Sequence, residues 1–204
     1  MARRPLTNPR KQASQQRSRA TVDALVEATA RILVREGFDK ASTNRIAAAA
    51  GVSIGSLYQY FPDKRAIFIA LHERHIEQID RLVESTLVQH AAAPLDELMR
   101  AMVEAMVDAH TGDPKLFEMM QAEVPHRAEG TRDFGERLHG AFLLAISARK
   151  HEIKGRRDWN TVAFVVTQMV EALSHGAALK RPAGISLAEA KAEAVRAVLA
   201  YLRA

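Results

Sequence analysis

The stretch Ser42-Thr43-Asn44-Arg45-Ile46-Ala47-Ala48-Ala49-Ala50-Gly51-Val52-Ser53-Ile54-Gly55-Ser56-Leu57-Tyr58-Gln59-Tyr60-Phe61-Pro62-Asp63-Lys64 decides how this chain is read. Ser42 is predicted to cap a short helix that Gly51 ends, and Ser53 to cap a second that runs to about Tyr60. Gly51 takes the turn because a left-handed backbone costs glycine nothing. Ala47 falls where the two helices cross and must be small, while Ile46, Val52 and Leu57 close a small core beneath the turn. The pattern is a helix-turn-helix, which holds its second helix out toward a DNA major groove. Ile54, Gly55, Ser56, Tyr58 and Gln59 form the exposed face of that helix. Arg45 stands where a capping box puts an acid, so the first cap is weaker than it can be.

Working outward, Phe61-Pro62-Asp63 reads as a turn with Asp63 capping a long helix to roughly His90. Ile67, Ala70, Leu71, Ile76, Ile79, Leu82 and Val83 line one side of it. Upstream, Val22, Leu25, Val26, Ile32 and Leu33 share a helical face from about Arg19 to Glu36, and Gly37 stops that helix. Residues 1–18 hold Arg3, Arg4, Arg10, Lys11 and Arg17 and no acid, and are expected to be a flexible basic arm. The arm is either a solvated tail or a reader of the minor groove.

Downstream, helices are expected over Pro94–His110, from Asp113-Pro114 through Met120, over Asp133–His151 and over Trp159–Leu179. Ser186-Leu187-Ala188-Glu189 is a capping box that opens a last helix to Leu202. No segment alternates over a strand's length. The fold class is therefore all-α with about nine helices: a basic arm (1–18), a three-helix helix-turn-helix domain (19–64), and a helical effector-binding and dimerisation domain (65–204).

Charge agrees with a division of labour. The chain's net charge is +5, but residues 1–65 carry twelve Lys and Arg against five Asp and Glu, a balance of +7, and the remainder is −2. A basic front on a near-neutral body suits a polyanionic partner. There is no cysteine, which excludes disulfides and thiolate metal sites and is compatible with the cytoplasm. The start is charged and lacks a signal-peptide core, and the apolar run from Thr161 to Leu179 is interrupted by Gln168, Glu171 and His175, so no membrane partner is expected. His72 and His75 are the only close histidine pair and lack the spacing of a zinc-protease helix. No catalytic constellation, cofactor motif or metal site is read; an enzyme is not expected.

The helix-turn-helix segment resembles the tetracycline-repressor (TetR) family of bacterial transcriptional regulators over about residues 15–71. Ser42, Ile46, Ala47, Ala50, Gly51, Val52, Ser53, Gly55, Tyr58, Tyr60, Phe61 and Lys64 carry the likeness, and Arg45 departs from it where an acid is common. The resemblance implies that Ser42 and Thr43 contact phosphate and that Asn44 reaches a phosphate or a base edge. Ile54, Gly55, Ser56 and Gln59 then face bases, Tyr58 and Tyr60 place hydroxyls on phosphates, and Lys64 anchors a further phosphate at a helix N-terminus. Phe61 reads as core, and a solvated lysine is the plain alternative for Lys64. Arg45 adds positive charge near the DNA.

A lone helix-turn-helix reads few base pairs, so a homodimer on a palindromic double-stranded operator is expected. Val162, Val166, Met169 and Leu173, on a helix apolar on more than one face, and Ala194, Val198 and Leu202, on the last helix, are the candidates for the dimer surface. The alternative is that one subunit covers both faces. A small apolar or amphipathic effector is expected among the middle helices, with Met102, Met106, Phe117, Met120, Phe142 and Trp159 as candidate lining. The leading function is a ligand-responsive repressor. The alternative is a DNA-binding activator or architectural protein without an effector.

Overall fold

The structure is a computed structural model that describes residues 9–112, 114–123, 129–154 and 158–204, with side chains for 17–112, 114–119, 133–154 and 158–204. The described residues form nine α-helices and no strand: α1 (Pro9–Glu36), α2 (Thr43–Ala50), α3 (Ile54–Tyr60), α4 (Lys64–Gln89), α5 (Leu95–Thr111), α6 (Pro114–Glu123), α7 (Glu129–Ala148), α8 (Trp159–Leu179) and α9 (Leu187–Arg203). A single 3₁₀ turn, Lys150–Glu152, follows α7.

α1 starts about ten residues before the expected Arg19, so the arm reading is corrected from Pro9 onward. Proline at the first helical position loses no hydrogen bond, and the Gln-, Ala- and Arg-containing segment behind it is rich in good helix formers. α7 likewise starts at Glu129 rather than Asp133. The expected Asp113 cap lies outside the described residues.

The chain separates into two units, the first ending at His72 and the second starting at Glu73. This boundary falls inside α4, eight residues past the expected one. Ile67, Phe68 and Leu71 are buried, and Phe68 meets Phe38 at 4.7 Å between ring centroids, so the first two turns of α4 complete the core of the first unit.

In the second unit, α8 packs against α5, α7 and α9. By length and composition α8 is apolar enough to cross a membrane. Here it is a core helix, with Val162, Ala163, Val166, Val170 and Ala177 buried. Arg149 is a buried cation whose guanidinium donates to the carbonyls of Ala93 and His90 at 2.8 Å, Ala91 at 2.8 Å and Ala145 at 3.2 Å. It thereby satisfies the last carbonyls beyond α4, while Glu152 accepts the Leu95 N–H at 2.8 Å and caps α5.

Candidate nucleic-acid interface

The two short helices form as their caps dictate. Ser42 Oγ accepts from the Arg45 N–H and Ser53 Oγ from the Ser56 N–H at 3.0 Å. Gly51 has φ +69°, and the paired bonds Gly51 N–H to Ala48 O and Val52 N–H to Ala47 O make a Schellman stop. Asp63 Oδ1 accepts from the Ala66 N–H at 2.8 Å and caps α4. Ile46 and Leu57 are fully buried and Ala47 nearly so, while Val52 is half-buried. α3 is therefore pinned by Leu57 on one side and presents its other side to solvent.

That outer side carries Ile54, Gly55, Tyr58 and Gln59, all exposed, with Tyr58 at 53%. Ser56 is half-buried and its hydroxyl is engaged with Ser53 Oγ at 2.8 Å. Ser42 and Asn44 are exposed at the start of α2, and Tyr60 is exposed at the end of α3. Phe61 is buried, in line with its reading as a core residue. Tyr58 Oη lies 3.2 Å from Thr43 Oγ1, a contact between α2 and α3 that no sequence spacing signals. It lines up two hydroxyls on one edge of the motif.

Lys64 is half-buried, with Nζ 4.1 Å from the centroid of the Phe38 ring. It is not the fully solvated lysine of the plain alternative, since the ring orients its ammonium. Arg45 pairs with Glu36, so its expected contribution of positive charge is corrected: the acid at the end of α1 offsets it. Arg31 was not singled out by sequence. It pairs with Glu27 at 2.8 Å and donates to the Ala49 carbonyl at 3.2 Å, tying α1 to the last turn of α2.

In the second unit, Met102, Met106 and Phe142 are buried in the core, and Trp159 is half-buried against it. Met120's side chain lies outside the described residues. Phe117 sits instead among histidines, its ring centroid 4.5 Å from His110, 5.1 Å from His75 and 5.1 Å from His175. His75 thus meets partners from α5 and α8 that are distant in sequence, and the pairing with His72 is superseded. Burial holds the His110 imidazole below the ordinary histidine value, against the raising effect of its bond to Met106 O. Burial, then the neighbouring His110 and Lys180, push His175 down to about 4. A cleft of about 390 Å³ between α4 and α7 is lined by Asp80, Val83, Leu87, Arg137 and Leu144, and by none of the six expected lining residues.

The dimer residues need a correction. Val162, Val166, Ala194, Val198 and Leu202 are buried in the chain's own core, and Met169 and Leu173 pack against it half-buried. An apolar helix in an α/α core needs cover from its own neighbours first, so these side chains offer no surface to a second copy. On α8 the exposed residues are Asn160, Thr161, Phe164, Gln168 and Ala172, with Phe164 at 56%.

Comparison with known proteins agrees with the geometry. Residues 25–71 match the family "Bacterial regulatory proteins, tetR family", and residues 94–202, more than half of the chain, match "Tetracyclin repressor-like, C-terminal domain". The chain is 26% identical over 155 residues to the HTH-type transcriptional activator FasR of Mycolicibacterium smegmatis, covering 66% of this chain and 70% of that one. Over 43 residues it is 54% identical to the nucleoid occlusion factor SlmA of Actinobacillus pleuropneumoniae, a match to 21% of each chain. The fold is that of the fatty acid degradation regulator FadR from Bacillus halodurans, with TM-score 0.69, 19% identity, and 90% of this chain and 96% of that one covered.

Proposed function

The chain belongs to the TetR family of DNA-binding transcriptional regulators, and we propose that it acts as a dimer on a palindromic operator and releases it when a small effector binds the second unit. The observation that carries the reading is the outward face of α3, where Ile54, Gly55, Tyr58 and Gln59 stand exposed over the buried Leu57. In this reading Ile54, Gly55 and Gln59 meet base edges, with Ser56 beside them. Ser42, Thr43, Asn44, Tyr58, Tyr60 and Lys64 position the motif on phosphates. Thr43 and Tyr58, already within hydrogen-bond distance of each other, would bracket one phosphate.

Two copies are needed because one recognition helix reads too few base pairs. The exposed face of α8 with Phe164 at its centre supports an isologous contact there better than the buried residues do. Effector and operator then compete through reciprocal coupling, each favouring a different state of the dimer. The cytoplasm, where the DNA lies, is the expected compartment.

The test is selection of bound fragments from genomic DNA, followed by binding assays on the recovered site. A palindromic site, and a changed base preference for Gln59→Ala with an unchanged salt dependence, are expected. Recovery of fragments with no shared sequence would remove the operator reading. The 43-residue likeness to a nucleoid occlusion factor favours a second reading, DNA binding without transcriptional control. A promoter reporter separates the two, because that reading predicts no change in transcription on deletion of the protein.

A further inference from the structure

Three imidazoles from three helices meet in the second unit: His75 from α4, His110 from α5 and His175 from α8. Ring centroids lie 5.6 Å apart for His75 and His110 and 4.7 Å for His110 and His175, and Phe117 from α6 touches all three. His110 is 2% exposed, and its neighbours in the core include Met106 and Val107. Polar rings in such surroundings are expensive unless they serve a polar partner. Ser174, on the same turn of α8 as His175, is fully buried, and its Oγ has no hydrogen-bond partner among the described residues.

The protonation state of the cluster can be read from geometry. His110 Nδ1 lies 2.6 Å from the Met106 carbonyl, which only accepts, so Nδ1 carries the hydrogen. In the neutral ring Nε2 is then an acceptor, and it calls for a donor. No group of three or more His, Cys, Asp or Glu among the described residues is arranged to hold a metal ion.

Resting on the reading of this chain as an effector-responsive regulator, we propose that the His75–His110–His175 cluster is the polar end of its effector site and that the effector is an amphipathic organic acid. The carboxyl group lies against the imidazoles and the hydrocarbon beside Phe117. The choice of an acid follows from charge. His110 and Lys180 both act against a proton on His175, and burial acts in the same direction. A carboxylate reverses the balance: it offsets the charge that the empty cluster resists, and its two oxygens accept from two rings. An alcohol supplies a donor but no compensating charge.

The other ionisable groups on these helices do not substitute for the ligand's charge. Glu171, one turn before His175, is itself held up by burial and hydrogen-bonded by Gln168 at 3.2 Å. Asp108 on α5 is committed to Lys191, and on α6 Lys115 and Glu118 are exposed. On α4, Glu73 and Glu77 are exposed, and Arg74 is half-buried. A carboxylate arriving from neutral solution therefore draws one proton from the buffer onto an imidazole, with no other chemical change.

Octanoate is the probe, with 1-octanol as its neutral counterpart, titrated calorimetrically into the full-length protein at pH 7 in buffers of different ionisation enthalpy. Octanoate is expected to bind at least tenfold more tightly than octanol, with up to one proton taken up per site. His110→Phe should weaken octanoate about tenfold or more, the scale of one charge-assisted hydrogen bond, and abolish proton uptake. If that variant does not fold, imidazole NMR of the unmodified protein decides instead: octanoate must raise the titration midpoint of at least one of the three histidines. Absence of octanoate binding at millimolar concentration, or binding without proton uptake, overturns the proposal. Operator binding is measured separately without octanoate, so its failure would remove the regulator reading alone.

Discussion

Replacing Lys64 with alanine tests whether this lysine meets DNA or only packs on its ring. Its ammonium sits 4.1 Å from the Phe38 ring centroid, at the first residue of α4, one turn beyond the exposed end of α3. As a phosphate contact, one lysine adds about 0.9 to the slope of log affinity against log salt, so a dimer that loses two contacts loses about 1.8. Between 50 and 200 mM salt that amounts to roughly a twelvefold smaller change in affinity than the unmodified protein shows. Loss of the cation–π contact costs the fold only about 0.5–1 kcal/mol at a partly exposed site, too little to unfold the first unit. The assay is fluorescence anisotropy on the selected operator and on unrelated DNA across that salt range, with circular dichroism as the folding control. The slope should fall on both DNAs alike, and Lys64→Arg should restore it. A slope unchanged within error, with affinity lost only through instability, would refute the phosphate role and leave Lys64 as a packing residue.

Gly51→Ala should destabilise the first unit by about 1–2 kcal/mol, because nothing lies within 4 Å of the added Cβ and the cost is that of a left-handed backbone alone; thermal melting measures it, and Gly51→Asn should cost less. Arg149→Met strips the cation from four carbonyls and should cost about 3–5 kcal/mol, seen as a fall in Tm of about 10 °C; a loss below about 1 kcal/mol would mean water replaces the guanidinium. Acid should weaken the second unit through His175. Its value in the folded chain, about 4, lies below the ordinary 6.5, so the unfolded chain takes the proton first and stability falls as pH drops between those limits, with no effect above them. The full shift corresponds to about 3 kcal/mol, reduced to about 1–2 by the part of the ring that water reaches. Denaturant unfolding at pH 7 and pH 4.5 reads it, and His175→Gln should flatten the dependence. Phe164→Asp should shift the sedimenting species from dimer to monomer, whereas a dimer of unchanged affinity would move the interface off α8.

The helix-turn-helix was legible because its determinants are local. A cap acts over three residues and a glycine stop over one, so Ser42, Gly51, Ser53 and Asp63 could each be read from immediate neighbours, as could the capping box at Ser186. The exposed face of α3 followed from helical periodicity around the one buried residue, Leu57. Where sequence reasoning went astray, the cause was non-local. α8 is apolar on more than one face, and periodicity alone does not say which neighbour covers each face. The structure covers Val162 and Val166 with the chain's own helices and leaves Phe164 outside.

Sequence by itself determined the order and type of the helices, the caps that bound the DNA-reading motif, and the side chains that motif exposes, because all of these depend on contacts within a few residues. Tertiary structure alone decided that Arg45 would be neutralised by Glu36, that Thr43 would reach Tyr58, and that His75, His110 and His175 would converge on Phe117. Those residues are brought together only by helix packing, whose geometry depends on every side chain along the contact, and so no local spacing in the chain announces them.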